Sequence, residues 1–111
     1  MKKQLVKSAY LALKNCLSSW LRIEGLDKDE EKQIREAYEF LSGIIVLIER
    51  NEADLEVLAQ RLLAGKRTYT TEYETLKRNM MEKQITHPMA KQLLESYETL
   101  LKRIDAIRSI V

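Results

Sequence analysis

The chain has 111 residues and a formal net charge of +2, with 45% of its residues hydrophobic and 32% charged. This length and balance predict a single globular domain over residues 1–111 and exclude a disordered chain. A single cysteine excludes an internal disulfide bond, so we expect a buried, reduced thiol at Cys16 and a cytoplasmic location.

No segment predicts a membrane span or a signal peptide. The longest apolar run, residues 40–48, has nine residues, whereas a membrane-spanning helix needs about 20. Lys7 and Lys14 interrupt the apolar segment that a secretory signal would require. We therefore expect a protein that is not bound to a membrane.

The charges are unevenly distributed along the chain. Residues 1–24 carry a net charge of +4, residues 25–56 carry −6, and residues 57–111 carry +4. Opposite charges predict an attraction between the middle third and the terminal thirds, within the fold or between copies. Solvated helix faces are the simpler interpretation of each charge run.

The first helix is predicted over residues 2–24, where apolar residues recur at steps of three and four. Its apolar stripe comprises Val6, Ala9, Tyr10, Leu13, Cys16, Leu17, Trp20 and Leu21. We expect Gly25 to end this helix, because glycine adopts the left-handed conformation just past a helix terminus.

A second helix is predicted to begin with Asp27 as its N-cap and to continue into the apolar run 40–48. This run has no polar face, which predicts a central element covered by the other helices. We expect Gly43 to allow the close approach of a neighbouring helix.

The apolar phase continues past Asn51, so residues 28–64 form either two helices or one bent helix. We favour a break near Asn51, with this residue capping a helix that Gly65 ends. A loop then follows at residues 65–70.

A shorter helix is predicted from a capping box of Thr71 and Glu74 to about Ile85, with Tyr73, Leu76 and Met80 buried. Residues 86–88 should stop it, with Pro88 as the first residue of the last helix.

The last helix has the clearest periodicity. Residues at steps of three and four form a seam with coiled-coil spacing: Ala90, Leu93, Tyr97, Leu100, Ile104, Ile107 and Val111. The seam and the apolar residues beside it predict contact with two neighbours, inside a bundle or across a dimer. We therefore expect an all-α bundle of four to five helices with a coiled-coil-like C-terminal helix.

Metal, cofactor and catalytic patterns are weak in this sequence. The single His87 and the single Cys16 fall on separate elements, and the acidic residues lack metal-ligand spacing. Residues 65–68 resemble a phosphate-binding loop only superficially, since Gln60 replaces its first glycine and Arg67 its hydroxyl residue. We expect no metal, no cofactor and no enzymatic activity.

The favoured functional hypothesis is a small regulator, adaptor or inhibitor that binds a protein partner through an apolar helix surface, and we expect it to act as a homodimer. Its candidate interface consists of apolar residues in excess of one small core: Met80, Met81, Leu94, Leu101 and Ile110. Adjacent methionines suit an adaptable contact surface.

Nucleic-acid binding is the alternative hypothesis. A basic and aromatic patch precedes and begins the predicted helix at residue 71, and comprises Lys66, Arg67, Tyr69, Tyr73, Lys77 and Arg78. Helix N-terminal amides with arginine and lysine can hold a phosphate, and tyrosines can stack on unpaired bases. A solvated loop is the simpler interpretation of this patch.

Overall fold

The computed structural model describes residues 2–23, 26–82 and 88–110 of the chain. These residues form four α-helices and no strand: α1 (Lys2–Leu21), α2 (Lys28–Glu49), α3 (Leu55–Glu82) and α4 (Pro88–Arg108). The all-α prediction is therefore confirmed. No helix among these residues has the length and apolarity that crossing a membrane requires.

Contacts between the helices give the bundle an up-down-up-down order. Lys7 near the start of α1 pairs with Glu49 at the end of α2, at 2.7 Å. Trp20 near the end of α1 contacts Tyr97 of α4 and Ser8 nearer its start contacts Arg103. Tyr73 of α3 contacts Glu98 of α4, and the earlier Lys66 contacts the later Asp105. Adjacent helices along the chain therefore run in opposite directions.

The central helix of the bundle is α1. It packs against α4, α2 and α3, whereas α2 packs on α1 and makes little contact with α3 or α4 among the described residues. Its apolar stripe supplies much of the core, and Val6, Ala9 and Cys16 are almost completely buried. The predicted first helix is thus the element around which the others are arranged.

The prediction of a fully covered α2 is wrong. Leu41, Ile44, Ile45 and Ile48 are buried, but Phe40, Val46 and Leu47 are exposed. The reason is that α1 covers only one side of α2. A Cβ at position 43 would meet no heavy atom of the described residues within 4 Å, so the predicted close approach at Gly43 is also wrong.

The break between α2 and α3 lies where it was predicted, but the residue that caps α3 is not the predicted Asn51. Asn51 has a φ of 57°, a left-handed conformation that asparagine tolerates better than most residues. The cap of α3 is Asp54, whose carboxylate accepts a hydrogen bond from the Val57 amide at 3.3 Å. The predicted N-cap of α2 is confirmed, because Asp27 accepts a 2.7 Å bond from the Glu30 amide.

The loop predicted at residues 65–70 is absent, because α3 continues through it. The hydroxyl of Thr71 donates to the carbonyl of Arg67 at 3.0 Å, inside the helix, and does not cap a new one. Gly65 does not end a helix either. A Cβ at this position would lie 2.9 Å from Cε2 of Tyr69, so the glycine leaves room for the tyrosine ring one turn later.

The seam of α4 is enclosed by its own chain. Its described members, Ala90 to Ile107, are between 0% and 7% exposed, and α4 packs against α1 and α3. The prediction of two neighbouring helices is confirmed inside the bundle, and Pro88 begins α4 as expected. The predictions for Gly25, Ile85, His87 and Val111 lie outside the described residues.

Ion pairs connect the basic start of the chain to its acidic middle. Lys2 pairs with Glu56 and Lys7 pairs with Glu49. The predicted attraction between charged thirds therefore acts within the fold at these two pairs. Each pair is partly solvated and contributes little to stability by itself.

Candidate functional site

A cleft of about 520 Å³ lies between α2 and the pair formed by α3 and α4. It exists because α2 packs on α1 alone, which leaves the α1 surface as a floor between two separated walls. The described lining residues of this central cleft are Leu13, Cys16, Leu17, Trp20, Leu26, Glu30, Gln33, Ile34, Ala37, Phe40, Leu41, Tyr69, Glu72 and Tyr97.

The central cleft is mainly apolar and slightly acidic. Its clearly polar side chains are Glu30, Gln33 and Glu72, and none of the described lining residues is basic. Phe40 lies at the α2 wall and is 61% exposed. A volume of this size falls in the range of about 300–1,000 Å³ that is typical of ligand-binding pockets.

Trp20, Tyr97 and Glu72 form a chain of hydrogen bonds at one wall of the cleft. Trp20 Nε1 donates to the Tyr97 hydroxyl at 2.9 Å, and this hydroxyl donates to Glu72 Oε2 at 2.8 Å. Burial raises the pKa of Tyr97, and the Glu72 carboxylate raises it further, whereas the bond from Trp20 opposes the shift. The phenol therefore stays protonated at neutral pH and joins α1, α3 and α4.

Cys16 lies on the floor of the cleft as a buried free thiol, as predicted. Burial, with a further contribution from Glu72, raises the pKa of Cys16 to about 12. The thiolate is the reactive form of cysteine, so this thiol is a poor nucleophile at neutral pH. The apolar surroundings of Cys16 therefore favour a packing role in the floor of the cleft over a role in covalent chemistry.

The predicted basic and aromatic patch does not form one surface. All six of its residues lie on the continuous helix α3, so the helix N-terminus proposed beside them is absent. Tyr69 lines the central cleft. Tyr73 donates to Glu98 at 2.7 Å, and Lys77 lies 5.9 Å from the Tyr73 ring centroid. Both tyrosines are thus engaged within the fold.

The basic part of the patch has two separate locations. Lys66 and Arg67 line a second cavity, in which Arg108 of α4 joins them. Arg78 is exposed on α3, three turns further along the helix, since 11 residues rise roughly 16 Å.

The candidate apolar interface is also dispersed. Met80 and Met81 lie at the end of α3, Leu94 and Leu101 are half-buried on α4, and Ile110 is exposed past the end of α4. Because α3 and α4 are antiparallel, the methionines and Ile110 are at opposite ends of the pair. The exposed apolar surface instead includes the α2 side of the central cleft.

No three His, Cys, Asp or Glu side chains in the described parts of the chain are grouped as metal ligands would be. The deep floor and walls of the cleft are apolar, which does not favour a hydrophilic cation.

The sequence contains a signal for the cleft that periodicity analysis missed. Besides the stripe that faces α1, the exposed residues Ala37, Phe40 and Leu47 form an adjacent stripe at steps of three and seven. Two adjacent stripes on one helix predict two contact surfaces. In the structure only the first of them is fully covered by α1.

The fold and the cleft define a class: a small up-down-up-down helical bundle with an apolar cleft beside its central helix. Comparisons of the chain with protein-family models, with curated proteins and with solved structures gave no match. The functional conclusions below depend on the geometry of this molecule alone.

Proposed function

We propose that the chain is a protein-interaction module that receives an amphipathic helix of a partner protein in the central cleft. The observation that carries this proposal is the 61% exposure of Phe40 at an apolar cleft. Full burial of a phenylalanine side chain contributes about 1.5–3 kcal/mol relative to exposure. A partner that covers Phe40 gains part of this free energy.

The shape of the cleft suits a helix. One wall is α2, whose lining residues run from Glu30 to Leu41 and extend over roughly 17 Å, or about three helical turns, at a rise of about 1.5 Å per residue. An amphipathic helix that lies in such a groove inserts side chains at steps of three and four. Ala37 and Phe40 line the cleft three residues apart on the uncovered side of α2, and the exposed Leu47 lies two turns after Phe40 on the same side.

Electrostatics favour a basic partner. α2 carries six acidic and three basic side chains, and Glu30 and Glu72 line the cleft without a basic residue among the described lining. Opposite charges across an interface accelerate association and suppress wrong partners. We therefore expect lysine or arginine residues beside the apolar face of the partner helix.

Self-association is the alternative proposal, and each of the two apolar surfaces that it could use carries a cost. A coiled coil through the α4 seam would require the bundle to open, because its own chain encloses this seam. Pairing through two copies of α2 would bring two acidic helices together, which like-charge repulsion opposes. A basic helix of another protein is therefore the favoured occupant, and the role of regulator, adaptor or inhibitor follows from that partner.

A selection from a displayed library of amphipathic helices tests this function. The Ala37→Trp variant fills the cleft from an exposed position, and Val46→Ala is the matched control, since exposed Val46 lies on α2 outside the described cleft lining. We expect selected peptides to combine apolar residues at steps of three and four with basic residues. Ala37→Trp should weaken their binding by at least about tenfold, which corresponds to 1.4 kcal/mol.

Two results would contradict the proposal. One is a selection that enriches no helical peptide on the wild-type protein. The other is a set of peptides that bind the Ala37→Trp and Val46→Ala variants equally well. Sedimentation of the free protein separately establishes whether two copies associate.

A further inference from the structure

A second cavity of about 540 Å³ lies where α3 meets the end of α4, and its described lining is Leu63, Lys66, Arg67, Thr70, Thr71 and Arg108. It shares none of its described lining residues with the central cleft. We name it the basic cavity, because three of its six lining side chains are cationic.

The cations of the basic cavity are only partly neutralised. Lys66 pairs with Asp105 of α4, whereas Arg67 and Arg108 form no ion pair with any residue that the structure describes. The three cations and one carboxylate give a local formal charge of +2. The C-terminus of α4 adds only about −0.5 of an elementary charge, so the cavity remains positive.

The uncommitted hydrogen-bond donors that line this cavity are the guanidinium groups of Arg67 and Arg108. The hydroxyls of Thr70 and Thr71 already donate to the carbonyls of Lys66 and Arg67, at 2.8 and 3.0 Å. Arginine presents a planar fork that binds two phosphate oxygens at once. Because α3 and α4 each contribute one such fork, two adjacent phosphate groups match the site better than one.

We propose that the basic cavity binds the diphosphate group of a small phosphorylated molecule. A compact ligand suits the site better than a polynucleotide, because the exposed Glu74 lies on α3 between Arg67 and Arg78 and interrupts the basic residues along this side of the helix. A nucleic-acid backbone requires a continuous basic track. The cavity volume also lies within the range of about 300–1,000 Å³ that small ligands occupy.

Calorimetric titration with inorganic pyrophosphate at an ionic strength of about 0.1 M, where the Debye length is about 10 Å, tests this proposal. The variants are Arg67→Ala and Arg108→Ala, both at exposed positions, and Arg78→Ala is the matched control with the same loss of charge on α3. We expect pyrophosphate binding to weaken by at least about tenfold in each of the first two variants, as the loss of a charge-assisted hydrogen bond predicts. The control should bind within about twofold of wild type, since its charge is distant and screened.

Circular dichroism of each variant verifies that the fold is retained. The absence of pyrophosphate binding to the folded wild-type protein would overturn the proposal. An equal loss of binding in all three variants would overturn it as well, because it would indicate general attraction to a positive surface. A single-stranded RNA that binds with equal dependence on Arg67 and Arg78, and that pyrophosphate does not displace, would assign α3 to a polymer instead.

Discussion

The hydroxyl of Tyr97 donates a 2.8 Å hydrogen bond to Glu72, which connects α4 to α3 at the wall of the central cleft. The same hydroxyl accepts a bond from Trp20 of α1. Tyr97 is therefore the residue through which three helices hold this wall in place, and removal of a single oxygen atom affects both bonds.

The Tyr97→Phe variant should be less stable by about 1–3 kcal/mol, because Trp20 Nε1 loses its partner in a partly buried site. Tyr73→Phe is the matched control, since Tyr73 also donates to a glutamate across α3 and α4 but lies nearer the surface. We expect the control substitution to lower the free energy of unfolding by only about 0.5 kcal/mol. Urea unfolding measures both values, and equal losses would contradict the role assigned to Tyr97.

Gly43 and Gly65 should respond in opposite ways to alanine. Gly43→Ala should stabilise the protein by about 1 kcal/mol, because alanine favours the helix and the new Cβ meets open space. Gly65→Ala has the same gain in propensity but forces the half-buried Tyr69 ring to move. Thermal unfolding of the two variants should show a higher midpoint for Gly43→Ala than for Gly65→Ala, and the reverse order would contradict the packing described at both positions.

The different exposure of Ile48 and Phe40 on α2 predicts different losses of stability when each side chain is truncated to alanine. Ile48→Ala removes a side chain that is 1% exposed and should destabilise the protein by about 2–5 kcal/mol. Phe40→Ala removes a larger side chain that mainly faces solvent, so we expect less than about 1 kcal/mol. Denaturant unfolding provides the comparison. A Phe40→Ala cost as large as that of Ile48→Ala would show that Phe40 is covered within the free protein.

Stability should decrease at alkaline pH. Burial raises the pKa of Tyr10 from 10.0 to about 12 and that of Cys16 from 9.0 to about 12. The folded state holds the proton of each group more tightly than the unfolded state does. The resulting contribution to the free energy of unfolding is therefore complete below the ordinary pKa and is lost as the pH rises towards 12. Urea unfolding at a series of pH values from 8 upward measures this loss.

The Tyr10→Phe variant is the control for this pH dependence. It removes one of the titrating groups together with the 3.0 Å bond from Tyr10 to the Leu58 carbonyl, so it should be less stable near neutral pH by about 1 kcal/mol. Its stability should fall less steeply above pH 10 than that of the wild type. A slope identical to the wild-type slope would exclude Tyr10 as a contributor.

Predictions that depend on neighbouring residues in the sequence were confirmed most often. Asp27 followed by acidic residues, and Pro88 before the last periodic segment, are local signals whose hydrogen bonds or backbone angles involve residues within one turn. The α4 seam belongs with them, because its spacing identifies a buried face whichever helices cover it.

Predictions failed where one local pattern is compatible with two structures. Thr71 and Glu74 have the spacing of a capping box, but a threonine hydroxyl can also bond to a carbonyl within a helix, as Thr71 does. Gly65 can end a helix or leave space inside one, and the Tyr69 ring decides the outcome. The missed cleft is of the same kind, since an apolar stripe does not indicate whether a neighbour covers it.

The sequence by itself determined the helical class, the starts of α1, α2 and α4, and the buried seam of α4, because the period of 3.6 residues and the capping groups act over a few residues. Only the tertiary structure decided that α1 is central, that α2 stays partly uncovered, and that Arg108 joins Lys66 and Arg67. These outcomes depend on which apolar faces meet across the bundle. The free energy of burial is non-directional, so the sequence of one segment does not specify which other segment covers it.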